Sequence, residues 1–252
     1  MTDLSGVTAV VTGGNSGIGR AMAIGIAKAG GAVSIWSRNA DRNAEVTDEL
    51  RALGANTMSV SCDVADEAAV AEAMRRTVAE LGPLGCFVAN AGMVDAPAPI
   101  VDTTLESWQR VLRTNLDGAF LCTREAARRF VEQDSGGSII VVSSTSSRYG
   151  AAGIASYAAS KTALLGLSRT LAVELARHRV RCNTLIPGWT RTSITSHGQQ
   201  NPKFMAATIG RTPVRRWAEP DEYQQVAAFL ADPTQLFHTG NEVVVDGGYT
   251  IF

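Results

Sequence analysis

Short runs that are apolar at nearly every position alternate along this chain with longer stretches whose apolar residues recur every three to four positions. "GVTAVVTG" is the first run, and it ends on glycine. "GIGRAMAIGIAKAGG" follows with helical spacing and closes on Gly30 and Gly31. The strand "AVSIWS", the helix "DRNAEVTDELRALG" and the strand "NTMSVSCDV" come next. The pattern then predicts a helix over 66–81, a strand at "GCFVAN", one long helix from about Leu105 to Val131 and a strand at "SIIVVSS". A helix over 157–177, a strand at "VRCNTLI", a helix near 219–231 and a last strand, "EVVVD", complete it. Strands without a polar face, separated by helices, indicate a parallel sheet covered on both sides. No linker, repeat or low-complexity stretch interrupts the alternation, so residues 1–252 are read as one doubly wound α/β domain with a parallel sheet of about seven strands. The segment 188–218 is the longest without a clear period, and loops of that length in compact domains are usually functional.

Composition narrows the function classes. The 252 residues are 45% hydrophobic and 19% charged, with a formal net charge of −1 and no run of Lys or Arg. That excludes nucleic acid or an anionic membrane as the main partner. The start, "MTDLSGVTAV", lacks the basic and apolar regions of a signal peptide, and no apolar stretch reaches the roughly 18 residues of a membrane span. Cys62, Cys86, Cys122 and Cys182 lie far apart, with no ligand-like spacing. A cytoplasmic protein with four reduced thiols and no metal is the expectation.

Against this background two motifs carry chemistry. Gly13, Gly14, Gly17 and Gly19 sit where the first strand meets the first helix. A turn there suits a phosphate, because the backbone must approach closely and helix N–H groups must stay free. By itself the run is equally a tight turn. The second motif is "YAASK", in which Tyr157 and Lys161 share a helix face. Ser144, at the end of "SIIVVSS", adds weight, since ligands of open α/β sheets bind beyond the carboxyl ends of the strands. Thr12 and Asn90 stand at two further strand ends.

Together TGxxxGIG, NAG, a helix asparagine, a strand-end serine, YxxxK and PG resemble the short-chain dehydrogenase/reductases over nearly the whole chain, through "VDGGYT". The resemblance implies a Rossmann-type fold and a reaction between a secondary alcohol and its ketone. In it Ser144 orients the substrate, Tyr157 transfers the proton, Lys161 activates the tyrosine and Asn115 supports a proton relay. Ser143 is a decoy, because alternation along a strand turns neighbouring hydroxyls to opposite faces. The ammonium of Lys161 is expected to lower the phenol pKa, helped by the positive nicotinamide of the oxidised cofactor.

The same resemblance places a nicotinamide dinucleotide on Gly13, Asn15, Ser16, Gly17, Ile18 and Gly19 of the turn. Ser37 and Arg38 follow the second strand, Asp63 and Val64 the third, and Asn90, Ala91 and Gly92 the fourth. Tyr157, Lys161, Pro187, Gly188, Thr190 and Thr192 complete the implied set, with Ile186 shaping the pocket through its backbone. Asp63 reads equally as a carboxylate at a helix start. NADP(H) is favoured over NAD(H): Ser37 stands where an acid would grip the ribose 2′-hydroxyl, and Arg38 can hold a phosphate. The turn itself supplies no second basic residue. The substrate lining falls at Met93–Pro97, Ser146–Gly150 and 189–217, where Trp189, Phe204 and Trp217 favour an apolar or aromatic ketone over a sugar or charged acid. A 3-oxoacyl-thioester reductase and a dinucleotide sensor without turnover are the alternatives. The long helices and the apolar end "VVVDGGYTIF" lead to a homotetramer as the expected assembly.

Overall fold

Strand β1 (Thr8–Thr12) is buried at all five positions, as a central parallel strand must be. It pairs with β2 (Ala32–Ser37) on one side and β4 (Leu84–Ala89) on the other. With β3 (Thr57–Ser61), β5 (Gly137–Val142), β6 (Val180–Pro187) and β7 (Glu242–Val245) it builds a seven-stranded parallel sheet in the order β3-β2-β1-β4-β5-β6-β7. This computed structural model describes residues 2–252.

The order reverses at β1, so β1 and β4 part at their carboxyl ends and leave a crevice there. Helices α1 (Gly17–Lys28), α2 (Ala40–Ala52), α3 (Glu67–Leu81), α4 (Leu105–Leu112), α5 (Gly118–Gln133), α6 (Ala155–Leu175), α7 (Ser196–Gln199), α8 (Pro202–Arg211) and α9 (Gln224–Ala231) cover the two faces and the rim. Two apolar cores result. One packs Trp36, Met74, Phe87 and Phe130 against one face; the other packs Met22, Ile26, Ile35, Leu50 and Tyr223 against the opposite face. All four cysteines are buried and free, and no helix among the described residues is long and apolar enough to cross a membrane.

Two expectations change. The helix anticipated from Leu105 to Val131 is interrupted at Arg113–Asp117 by one π-helical turn, a local insertion that apolar periodicity cannot register. The segment 188–218 holds two helices, α7 and α8. Asn201 caps α8 by accepting from Phe204 N at 3.1 Å, and Pro202 occupies its first turn.

Candidate active site

The glycine turn is held by the strand next to it. Thr12 Oγ1 donates to Val88 O and accepts from the backbone N–H groups of Asn90 and Ala91 at 2.9 and 3.0 Å. Asn90 returns a hydrogen bond from Nδ2 to Thr12 O at 2.9 Å. Gly13 and Gly17 have φ of +63° and +52°, in the region that favours glycine. A Cβ on Gly19 would lie 2.3 Å from Asn90 Nδ2 and 2.4 Å from Gly13 O, so the turn closes only around a hydrogen atom there.

A phosphate fits this turn on electrostatic grounds. The first helices after β2, β3 and β4 are capped by Asn39, Asp66 and Thr104, each accepting from a backbone N–H. Ser16, before α1, makes no such side-chain bond, and the first turn of α1 has no acidic residue. Its N–H groups and the positive end of its dipole are left for an external anion.

At the end of β2, Asn15 Nδ2 donates to Ser37 Oγ at 2.6 Å and to Asn43 Oδ1 at 2.9 Å, tying the turn to α2. Arg38 is exposed and, among the described residues, has no carboxylate partner. A cleft of about 550 Å³ opens at the glycine turn, lined by Asn15, Ser16, Gly17, Arg42, Glu45, Arg191 and Thr192. Arg42 is a cation of this cleft that the sequence pattern did not single out, since it reads as an ordinary surface position of α2. Asp63 caps its own turn, accepting from Ala65 N at 3.0 Å, while Val64 packs on Gly118.

The polar residues of β5 and α6 meet at the crevice. Ser143 is buried and donates from Oγ to Lys161 O at 2.7 Å, facing the helix backbone. Ser144, one residue on, turns the other way and accepts from Ser146 N at 3.1 Å. Burial raises the Tyr157 pKa, and a hydrogen bond with Ser144 opposes that rise. The expected lowering by Lys161 is absent: its Nζ lies 5.8 Å from the tyrosine ring centre and donates to Val142 O at 2.8 Å, so burial dominates. Lys161 itself is 4% exposed, and burial lowers its pKa to about 8.

Asn115 lies in the π turn and is fully buried. Its Oδ1 accepts from Met93 N at 2.8 Å, and its Nδ2 donates to Met93 O at 2.9 Å and to Ser160 Oγ at 3.2 Å. A Cβ on Gly92 would stand 3.4 Å from both Asn115 Oδ1 and Lys161 Nζ, so these three residues share one small volume. Ser160, absent from the sequence-derived set, links this asparagine to α6, donating in turn to Tyr157 O at 2.7 Å.

The family model described as Enoyl-(Acyl carrier protein) reductase matches residues 13–250. A structure described as a short-chain type dehydrogenase/reductase from Mycobacterium marinum is 34% identical, with a TM-score of 0.94 over 99% of this chain and 97% of that one. The chain is a short-chain dehydrogenase/reductase. The cis-4-hydroxycyclohexanecarboxylate dehydrogenase of Sinomonas cyclohexanicum is 38% identical over 245 residues, 96% of each chain. A gluconate 5-dehydrogenase from Burkholderia cenocepacia J2315, solved with NADP and tartrate, is 33% identical with a TM-score of 0.94, covering 100% of this chain and 98% of that one. This short-chain dehydrogenase/reductase is therefore an NAD(P)-dependent oxidoreductase acting on CH–OH groups and their ketones. The thioester-reductase alternative is not favoured by these relatives, and the sensor alternative is set aside.

In this short-chain dehydrogenase/reductase the residues after β6 behave differently from one another. Pro187 ends the strand, and Gly188 packs where a Cβ would lie 2.6 Å from Asp246 Cα. Thr190 is buried, and its hydroxyl is used internally, donating to Gly188 O at 3.0 Å and meeting Tyr223 Oη at 2.8 Å. Its side chain is thus turned away from the cleft, contrary to the sequence expectation, because Tyr223 of the neighbouring 3₁₀ turn draws it inward. Thr192 instead reaches over the glycine turn, with Cγ2 3.1 Å from where a Gly17 Cβ would stand. Beyond it, Trp189 stacks on Trp217 at 5.1 Å and meets Phe204 edge-on at 5.1 Å. Tyr249 touches Trp189 at 6.4 Å and Tyr149 at 5.5 Å. Tyr149 falls within the anticipated lining Ser146–Gly150, whereas Tyr249 was missed, because the two lie 100 residues apart with no local signal that they meet.

Proposed function

We propose that Ser144, Tyr157, Lys161 and Asn115 carry out NADP(H)-dependent interconversion of a secondary alcohol and its ketone within the single domain 1–252. The observation that supports this reading is the convergence of the four on the carboxyl end of β5, beside the uncapped glycine turn. When bound, the dinucleotide supplies or accepts the hydride. Gly13, Asn15 to Gly19, Asn90 to Gly92 and Thr192 would hold it, with Asp63 and Val64 beside its adenine and Pro187 and Gly188 behind its nicotinamide. Thr190 would shape that wall from within through its bond to Tyr223. In the reducing direction Ser144 donates a hydrogen bond to the carbonyl oxygen, and Tyr157 passes its proton to the oxygen as negative charge develops there. Lys161, released from Val142 O, stabilises the phenolate left behind, and Asn115 fixes the Met93 backbone and Ser160 so that the site does not collapse.

Ser37 and the unpaired Arg38, with Arg42 close by, support NADP(H) over NAD(H), since a guanidinium can bind a 2′-phosphate through two N–H groups. Turnover of a ketone panel with NADPH and NADH, on wild type, Tyr157→Phe and Arg38→Ala, tests the reading. Tyr157→Phe should bind cofactor and lose about 10²–10⁴-fold in kcat; Arg38→Ala should lose the NADPH preference. A phenylalanine variant keeping more than about a tenth of kcat, or a wild type preferring NADH, overturns the respective assignment.

The assembly proposed is a homotetramer in the cytoplasm. Ile251 and Phe252 are 89% and 69% exposed, and Val173 of α6 is 80% exposed, apolar surface that neighbouring copies would cover. Light scattering that returned the mass of one chain at micromolar concentration would contradict it.

A further inference from the structure

Three arginines near the rim of the crevice are neutralised by carboxylates: Arg148 by Glu242, Arg191 by Glu219 and Arg216 by Glu222. Arg211, the last residue of α8, is not. Its guanidinium makes no ion pair and donates no hydrogen bond among the described residues, and it is exposed. It is nevertheless fixed in place. Its Cζ lies 4.9 Å from the ring centre of Tyr149 and 4.5 Å from that of Tyr249. Contact between a guanidinium and ring faces holds the cation while leaving N–H donors at its edge unused. The two tyrosines tie that cation to the reacting centre. Tyr149 follows by two residues the short turn Thr145–Ser147 that Ser144 caps, while Tyr249 lies against Trp189 of the loop that leaves β6.

We propose that Arg211 is a specificity-determining residue that receives the carboxylate of the substrate. This deepens the oxidoreductase reading given above and rests on it. The substrate class that follows is a secondary alcohol or ketone on an apolar carbon frame ending in a carboxylate. The frame lies along Trp189 and the tyrosine rings, the reacting carbon lies at Ser144 and Tyr157, and the anion lies at Arg211. The expectation of an uncharged apolar ketone is kept for the frame and replaced at its end, because a cation held on two rings without a carboxylate of its own is complementary to an anion.

Two measurements test this with 4-oxocyclohexanecarboxylate and its carboxamide, which share a frame and differ in charge. Calorimetric binding of cyclohexanecarboxylate and cyclohexanecarboxamide to the NADP-loaded protein, which requires no turnover, should favour the acid by about ten- to hundred-fold, the range of a charge-assisted hydrogen-bonded pair. The preference should shrink as salt is raised and largely disappear in Arg211→Met. The ratio of kcat/KM for the oxo acid over its amide should follow the same course. Equal affinity for acid and amide in the wild type overturns the proposal without any variant, leaving Arg211 as a stacking anchor for α8. An acid preference that survives Arg211→Met assigns the anion to another group and overturns it equally. If neither ketone is reduced while the acid still binds selectively through Arg211, the fault lies with the choice of reacting frame and not with the anion site.

Discussion

Replacing Lys161 by methionine should make the cofactor-free protein more stable while abolishing its chemistry. The ammonium is 4% exposed, has no carboxylate within reach, and is held by one bond, to Val142 O. Its pKa falls from 10.5 to about 8 through burial. At 1.36 kcal/mol per pKa unit, keeping it protonated costs about 3 kcal/mol at neutral pH. Methionine has nearly the same length, fills the space and removes that cost, but leaves Val142 O without its donor, a loss of about 1 kcal/mol. The net gain is about 2 kcal/mol at pH 7, or about 4–8 °C in Tm for a chain of this size. The sign of the pH dependence follows from linkage. Below pH 8 the lysine is protonated in both folded and unfolded chains, so the full cost is present. Between pH 8 and 10.5 the unfolded chain holds the proton and the folded one does not, so wild-type stability rises with pH. The gap between variant and wild type should therefore shrink by about 2 kcal/mol from pH 7 to pH 9.5. Urea unfolding without cofactor, followed by tryptophan fluorescence at both pH values, measures it. A variant less stable than wild type at pH 7, or a gap that ignores pH, would refute the reasoning.

The two adjacent serines should separate cleanly. Ser144→Ala should lower kcat by about 10²-fold or more with little change in Tm, because it removes a donor aimed at developing charge. Ser143→Ala should keep most turnover and lose about 1–3 kcal/mol of stability, because Lys161 O loses its buried donor; kinetics and melts reversed between the pair would exclude the assignment. Gly19→Ala should weaken NADP(H) binding at least ten-fold, about 1.4 kcal/mol, since its methyl would press on Gly13 O and Asn90 and spread the turn. An unchanged Kd by fluorescence titration would show that the turn does not cradle the phosphates.

Where a local rule decides a structure, the sequence was legible. Apolar strands separated by amphipathic helices fixed the parallel sheet, and alternation along β5 separated Ser143 from Ser144. The Asn201–Pro202 start of α8 was equally readable, but the lack of a clear period around it led the segment 188–218 to be taken as an irregular loop. What could not be read depends on partners remote in sequence. The direction of the Thr190 side chain follows from Tyr223, the unpaired state of Arg211 from the pairing of Glu219, Glu222 and Glu242 with other arginines, and the raised pKa of Tyr157 from burial outweighing its hydrogen bond with Ser144. The π turn escaped because one additional residue shifts the apolar stripe by too little to break its period over two short helices.

That additional residue has an evolutionary consequence. Between Leu112 and Gly118 the chain carries one residue more than a regular helix would use, and the bulge is what directs Asn115 at Met93. Deleting Arg113 or Thr114 would let α4 and α5 fuse into one uninterrupted helix and would rotate Asn115 away from the crevice. A library selected for heat resistance alone would gain from such a deletion, and a library also selected for turnover would discard it. With Asn115 in the role proposed above, the length of the chain at this point falls under the control of catalysis, so insertions and deletions here should be rarer than substitutions.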